Sequence, residues 1–245
     1  MTLAALATGI GLIAAFVLAQ ARVRAPLLPR RVLASRNRAG ACLAIGLAVV
    51  ALYGLFLLLT YDFQVVLGYS PLRAGLAFLP MSAATLASST VISRALLPRV
   101  SPRLLMVPGL ALGAAGMGTL ALLRAGASYP VHVLPAELLL GLGMGAVFVP
   151  AFATATSGVS NRDAGVASAV AGTAQQVGAS IGTALLNTIA AAATSAYLAA
   201  HPGAAGGAAL VHGYAEAAGW AAAILAGAAV VVGLMVTAGP ARGAD

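Results

Sequence analysis

Thr173, Gln176, Ser180, Thr183 and Asn187 step by 3, 4, 3 and 4 through an otherwise apolar run. On a helix that spacing draws one stripe along a single face. These residue types hydrogen-bond but do not ionise, and no nucleophile–base pair lies among them. The chemistry they offer is recognition. In a membrane-spanning helix a polar side chain is unfavourable unless it faces protein or water. Two roles fit: interhelical glue, at around 0.6 kcal/mol per hydrogen bond, or one wall of a polar cavity. Five positions in register exceed what glue requires, and the cavity is favoured. Gln175 lies beside the stripe.

Shorter seams recur in other apolar runs. Tyr53, Thr60 and Gln64 are spaced by 7 and 4. Ser82, Thr85 and Ser89 follow one another, with Met81 alongside. Gly141, Met144 and Phe148 fall on one stripe, with Glu137 a turn earlier. Met and aromatic side chains adapt to varied apolar ligands, and they equally fill cores. Asp62, Glu137 and Glu216 sit near the ends of apolar runs. An acid at membrane depth is by default a functional candidate. Within a turn of the interface it stays hydrated, and hydration is the expectation for these three. Asp62 is the best placed for a role at an outer mouth, because Gln64 and Arg73 are close in sequence.

Other chemistry is missing from the sequence. It contains no H-E-x-x-H, no G-x-S-x-G and no Cys/His cluster. Cys42 is the single cysteine, and His132, His201 and His212 fall at interfaces or in loops. All 13 basic residues are Arg. Without a Lys there is no retinal Schiff base. No enzyme activity, metal or other cofactor is expected. A receptor remains formally open, although the short loops after the third and fifth runs offer a partner little to recognise.

The elements that carry these residues are set by composition. The chain has 245 residues, 61% hydrophobic and only 7% charged, where a soluble domain has about 25% charged. Its mean hydropathy is +1.01. Such a chain belongs in lipid. A net charge of +8 raises nucleic acid as a partner, but the arginines lie between apolar runs and line no solvated face, which excludes it. Seven runs are long enough to span a bilayer, at about 20 residues each: 3–21, 39–61, 74–97, 104–123, 133–155, 164–193 and 214–238. The N-terminus lacks the charged region of a signal peptide.

Arginine fixes the expected direction. Arg22–Arg38 holds six of the 13 arginines and no acid. Counting alternate connections, one side receives 11 arginines and the other two. Arg-rich loops stay cytoplasmic, which puts the N-terminus outside and the C-terminus inside a cell membrane. Glycines punctuate the runs. Gly141-x-x-x-Gly145 and Gly178-x-x-x-Gly182 have the spacing that lets helix backbones approach closely; a hinge or broken helix at a binding site is the alternative.

Several segments resemble one family in order. Leu58–Gly75, with its Thr60-Tyr61-Asp62-Phe63-Gln64 start and Gly68-Tyr69-Ser70-Pro71 turn, resembles the helix–loop–helix that opens the C-terminal domain of fourteen-helix drug:proton antiporters, a branch of the major facilitator superfamily. Gly141–Gly145 with Phe148-Val149-Pro150 is similar to that family's tenth core helix. Asp163–Ser168, then Gln176-Val177-Gly178 and Gly182, resembles its inner loop and eleventh core helix. Arg22–Leu33 resembles the linker after the second of two extra helices. Arg94, Arg99 and Arg103 stand in the degenerate counterpart of the family's inner-loop motif, with Ser101 where a Gly is usual. Asp62 stands where an aromatic or aliphatic residue is usual, and Gln175 where many members have Arg.

The resemblance implies an all-α integral membrane protein of about seven transmembrane helices. Residues 1–38 would form an insertion helix and basic linker. Residues 39–245 would form a six-helix domain of two inverted three-helix repeats. The implied function is secondary multidrug efflux by alternating access, with protons as the coupling ion and amphipathic or cationic small molecules as substrates. An N-terminal transporter half would be the missing partner. The cavity would be lined by Tyr53, Thr60, Gln64, Thr85, Met144, Phe148, Gln176, Ser180, Thr183 and Asn187. The alternative is a non-transporting membrane protein that assembles with or regulates another transporter.

Overall fold

A computed structural model describes residues 34–124, 128–160, 162–203 and 205–240, and scattered positions between 8 and 22. The first apolar run and the basic linker up to Leu33 fall largely outside the described residues. The remaining six runs each form a helix long and apolar enough to cross a bilayer. They are α1 (Arg36–Val66), α2 (Pro71–Leu96), α3 (Pro102–Leu120), α4 (Tyr129–Thr156), α5 (Ala164–Ala200) and α6 (Gly206–Met235). No strand occurs among the described residues.

Local sequence starts these helices. Ser35 accepts a hydrogen bond from the Arg38 N–H, and Ser70 accepts one from the Arg73 N–H, the N-cap geometry that satisfies free amides. Pro71 and Pro102 occupy the first turn, where a fixed φ and a missing N–H cost nothing. In α2 the α-helix is interrupted at Phe78, whose N–H bonds to the Gly75 carbonyl. Pro80 follows and has no N–H to continue the ladder. Two ends differ from expectation. Helix α5 continues to Ala200 and α6 begins at Gly206, so the expected loop 195–213 shrinks to a few residues. That segment is alanine-rich, and alanine has the strongest helix propensity.

Packing centres on α1, which touches α4, α5 and α6; α3 lies against α4 and α6, α5 against α6, and α2 chiefly against α4. Several crossings are tight enough to demand glycine. A Cβ on Gly178 would strike the Gly46 carbonyl of α1, and one on Gly182 the Val50 carbonyl. In α4, a Cβ on Gly141 would strike the Met81 carbonyl of α2, and one on Gly145 would lie 2.7 Å from the Thr85 carbonyl. Gly143, between them, faces α3 instead, where its Cβ would lie 2.5 Å from the Gly109 carbonyl. Both x-x-x spacings therefore serve close packing. One end of the bundle gathers Arg36, Arg38, Arg94, Arg99, Arg103 and Arg162 and is called the arginine end below. The other gathers Phe63, Tyr69, Phe78 and Tyr129 and is called the aromatic end.

Candidate substrate-facing site

Helix α5 has two unlike faces. Gly178, Ala179, Gly182, Leu186 and Ala190 are buried. Thr173, Gln176, Ser180, Thr183 and Asn187 are all exposed, as is Gln175. The stripe is thus continuous, and it points away from the six-helix packing. The Thr173 and Ser180 hydroxyls donate to the Ala169 and Gln176 carbonyls, at 2.8 and 3.0 Å, a local bond that lets a hydroxyl sit in apolar surroundings. The Gln176 and Asn187 amides have no such outlet among the described residues. Asn187 also borders a shallow depression with Tyr61, Val65, Ala191 and Tyr214.

The structure brings only some of the other expected residues to an open face. In α1, Tyr53 is 45% exposed, Gln64 is exposed and Thr60 is half-buried. The Thr60 hydroxyl donates to the Phe56 carbonyl at 2.5 Å. In α2, Thr85 is half-buried and donates to the Met81 carbonyl at 2.9 Å. Ser88 instead bonds across to α4, donating to the Leu142 carbonyl at 2.7 Å. Phe148 is half-buried against the core. Met144 departs from expectation. It is 1% exposed, and its terminal methyl would lie 3.1 Å from a Cβ on Gly113 of α3. It fills the core, because α4 is covered by α2 on its Gly141–Gly145 side and by α3 on its Gly143 side.

The acids also depart from expectation. Glu137 is fully buried and Asp62 is 9% exposed; only Glu216 is exposed, in a crevice with Arg124, His212 and Trp220. Helix ends are hydrated when nothing covers them, but here the aromatic end is covered. Phe63 stacks on Tyr69 and meets Phe78 and Tyr129 edge-on or tilted, all with centroids within 5.9 Å. The Arg73 guanidinium lies 3.9 Å from the centre of the Tyr69 ring, within cation–π range. Asp62 does not join Tyr53, Thr60 and Gln64. It lines a narrow apolar cleft with Leu58, Met117, Leu120 and Tyr214, toward α3 and α6.

Known proteins resemble this chain in sequence. Residues 1–183 match the model of the Major Facilitator Superfamily. The chain belongs to the major facilitator superfamily. A puromycin resistance protein of Streptomyces alboniger is 44% identical over 94% of this chain and 47% of its own length. A cephamycin export protein of Amycolatopsis lactamdurans is 36% identical over 81% of this chain and 42% of its own length. The multidrug efflux pump LfrA of Mycolicibacterium smegmatis is 33% identical over 76% of this chain and 36% of its own length. This chain therefore spans less than half the length of these curated relatives.

In this major facilitator chain the arginine end is stitched by side chains that the sequence did not single out for this. The Arg36 guanidinium donates to the Leu234 carbonyl at 2.6 Å, and that of Arg38 to the Ser157 carbonyl at 3.2 Å. The Asn37 Oδ1 accepts from the Thr237 and Ala238 N–H groups at 2.6 and 3.1 Å. The start of α1 thereby caps the ends of α4 and α6, where free carbonyls and the helix dipole favour cations. The residues that were singled out do less here. Arg99 donates to the Ala95 carbonyl of its own helix end at 2.7 Å, and Arg94 and Arg103 are exposed. The cue was available in Ser35-Arg36-Asn37-Arg38, a cap followed by donors, but its arginines read first as topology markers.

Proposed function

We propose that this chain is the C-terminal half of a secondary multidrug efflux transporter that works by alternating access in the cell membrane. The observation that carries this is α5. Its glycine face is closed against α1, while Gln176, Ser180, Thr183 and Asn187 stand open on the opposite face. A row of amides and hydroxyls has no reason to face lipid. It fits a shared, water-accessible cavity completed by a second helical half, with α1 contributing Tyr53, Thr60 and Gln64. The relatives named for resistance and export support drug-sized, amphipathic or cationic substrates. Protons are the coupling ion in this reading. The 11-to-two split of arginines supports a cytoplasmic arginine end, an external N-terminus and a cytoplasmic C-terminus.

The test grafts this chain in place of the matching part of the Streptomyces alboniger relative and follows efflux of a fluorescent cationic dye from energised cells. Efflux is expected to persist in the graft. Gln176→Ala and Asn187→Ala are each expected to slow it about fivefold at unchanged abundance, the value of one hydrogen bond to substrate. Efflux untouched by either substitution overturns the cavity assignment. A graft that is abundant but inactive, while the chain alone alters efflux by an intact transporter, favours the regulatory alternative.

A further inference from the structure

Glu137 has a place in the fold that no cavity-lining role uses. It lies one turn before Gly141 on the side of α4 that meets α2. It is completely buried, and its Oε1 has no hydrogen-bond partner among the described residues. Its Oε2 lies 3.0 Å from the Tyr129 hydroxyl, and the same hydroxyl lies 2.7 Å from the Ala77 carbonyl of α2. Ala77 is the last residue before the interruption at Phe78.

Counting protons decides what this chain of contacts is. A tyrosine hydroxyl has one proton to give, and a carbonyl has none. Two full hydrogen bonds at the Tyr129 oxygen therefore need a second proton. The shorter bond is the one Tyr129 donates, to Ala77. The other becomes a full bond only when a protonated Glu137 donates to Tyr129. An ionised Glu137 would bring two acceptor oxygens, with about four lone-pair sites, to a single shared proton. It would also leave Oε1 charged, buried and unpaired, which is strongly unfavourable.

No countercharge pairs with Glu137 among the described residues. On its own helix the nearest titratable groups are Tyr129 and His132, which is exposed and bonded to the Ser128 carbonyl. From the connection between α1 and α2 come Tyr69, stacked on Phe63, and Arg73, whose guanidinium lies over the Tyr69 ring. From α1, Phe63 packs edge-on against the Tyr129 ring, and Asp62 lies in the separate cleft beside Tyr214. From α3 the backbone at Gly116 is what meets this turn of α4, at Ala136.

The geometry points to Glu137 as a proton-binding site whose proton, relayed by Tyr129, fastens α4 to α2 at Ala77. Loss of that proton draws the Tyr129 hydroxyl to the carboxylate and releases the Ala77 carbonyl, at the point where α2 is already interrupted ahead of Pro80. The tie is thus set by protonation and sits at the aromatic end of the α2–α4 glycine crossing. The assignment deepens the proton side of the proposed exchange, and it rests on that reading only for its use in transport.

The test is infrared spectroscopy of the 245-residue chain in lipid nanodiscs at neutral pH, with amide hydrogen exchange of the α2 segment around Ala77. The wild-type minus Glu137→Gln difference spectrum is expected to show a protonated-carboxyl C=O band, which shifts in Tyr129→Phe. Glu137→Gln is expected to keep exchange near Ala77 slow, since its amide also donates to Tyr129. Tyr129→Phe, which keeps the ring against Phe63, is expected to speed that exchange about fivefold. Identical carboxyl spectra for wild type and Glu137→Gln overturn the site. Exchange unchanged in Tyr129→Phe overturns the relay. Neither readout needs transport, so a failed efflux graft leaves the site independently testable.

Discussion

Along one side of α5, Gly178 and Gly182 meet the α1 backbone so closely that a Cβ on either would strike a carbonyl, and Leu186 is buried beyond them. Along the other side, Gln176, Ser180, Thr183 and Asn187 are exposed. The first side is defined by lack of space and the second by lack of cover. A residue on the closed side is chosen for what it omits, and one on the open side for what it offers. Stability and recognition are therefore separable on a single helix, and substitutions can push on one without the other.

The strongest way to break that separation is Gly182→Leu. A side chain there has to part α1 and α5, and overpacking costs about 1–3 kcal/mol or more. The expected outcome is loss of detergent-stable, monodisperse protein in a fluorescence-detected thermal melt. Gly172→Ala is the control on the same helix; its Cβ would meet nothing within 4 Å, and a gain of up to about 1 kcal/mol in helix propensity is expected. Equal damage from both would show that α5 as a whole, not its closed face, is sensitive.

Asn37→Ala tests whether capping at the arginine end matters as much as glycine packing. It removes the acceptor for two N–H groups after α6, and a loss of about 1–2 kcal/mol is expected, read as a lower melting temperature with efflux in the graft retained. Gln176→Leu and Asn187→Leu sharpen the comparison from the open side. In the isolated chain they are expected to leave the melt unchanged within about 0.6 kcal/mol each, while the same changes slow dye efflux in the graft. A melt lowered as far as by Gly182→Leu would return the stripe to packing glue.

The smallest structural effect comes from labelling. Single cysteines at Ser35 and Ser128, in a Cys42→Ser background, are expected to react from opposite sides of intact cells, Ser128 from outside. Equal reaction with an impermeant reagent would reverse or remove the assigned direction.

What the sequence disclosed and what it hid have physical causes. The glycine crossings were legible because small residues four apart have few other uses in an apolar helix. The α5 stripe was legible because its polar residues share one period with the helix. Met144 was not, because a methionine on a stripe looks the same whether it faces a ligand or a neighbour; only the position of α3 resolves it. The burial of Glu137 was hidden for a similar reason. Its Tyr129 partner is held by Phe63 and by the Ala77 carbonyl, which come from an earlier part of the chain. Asn37 was overlooked because its partners, Thr237 and Ala238, are some 200 residues away.

The open face of α5 also bears on the life of the chain before it is complete in function. Helices enter the membrane in order, and α5 arrives with its glycine side ready to dock on α1 and its amides uncovered. Until a complementary surface arrives, those amides can be satisfied only by water, by neighbouring copies or by a chaperone in the bilayer. Quality control that recognises polar residues adrift in lipid would find them there. Made by itself, the 245-residue chain is therefore expected to be less abundant than when a surface that covers α5 is supplied with it.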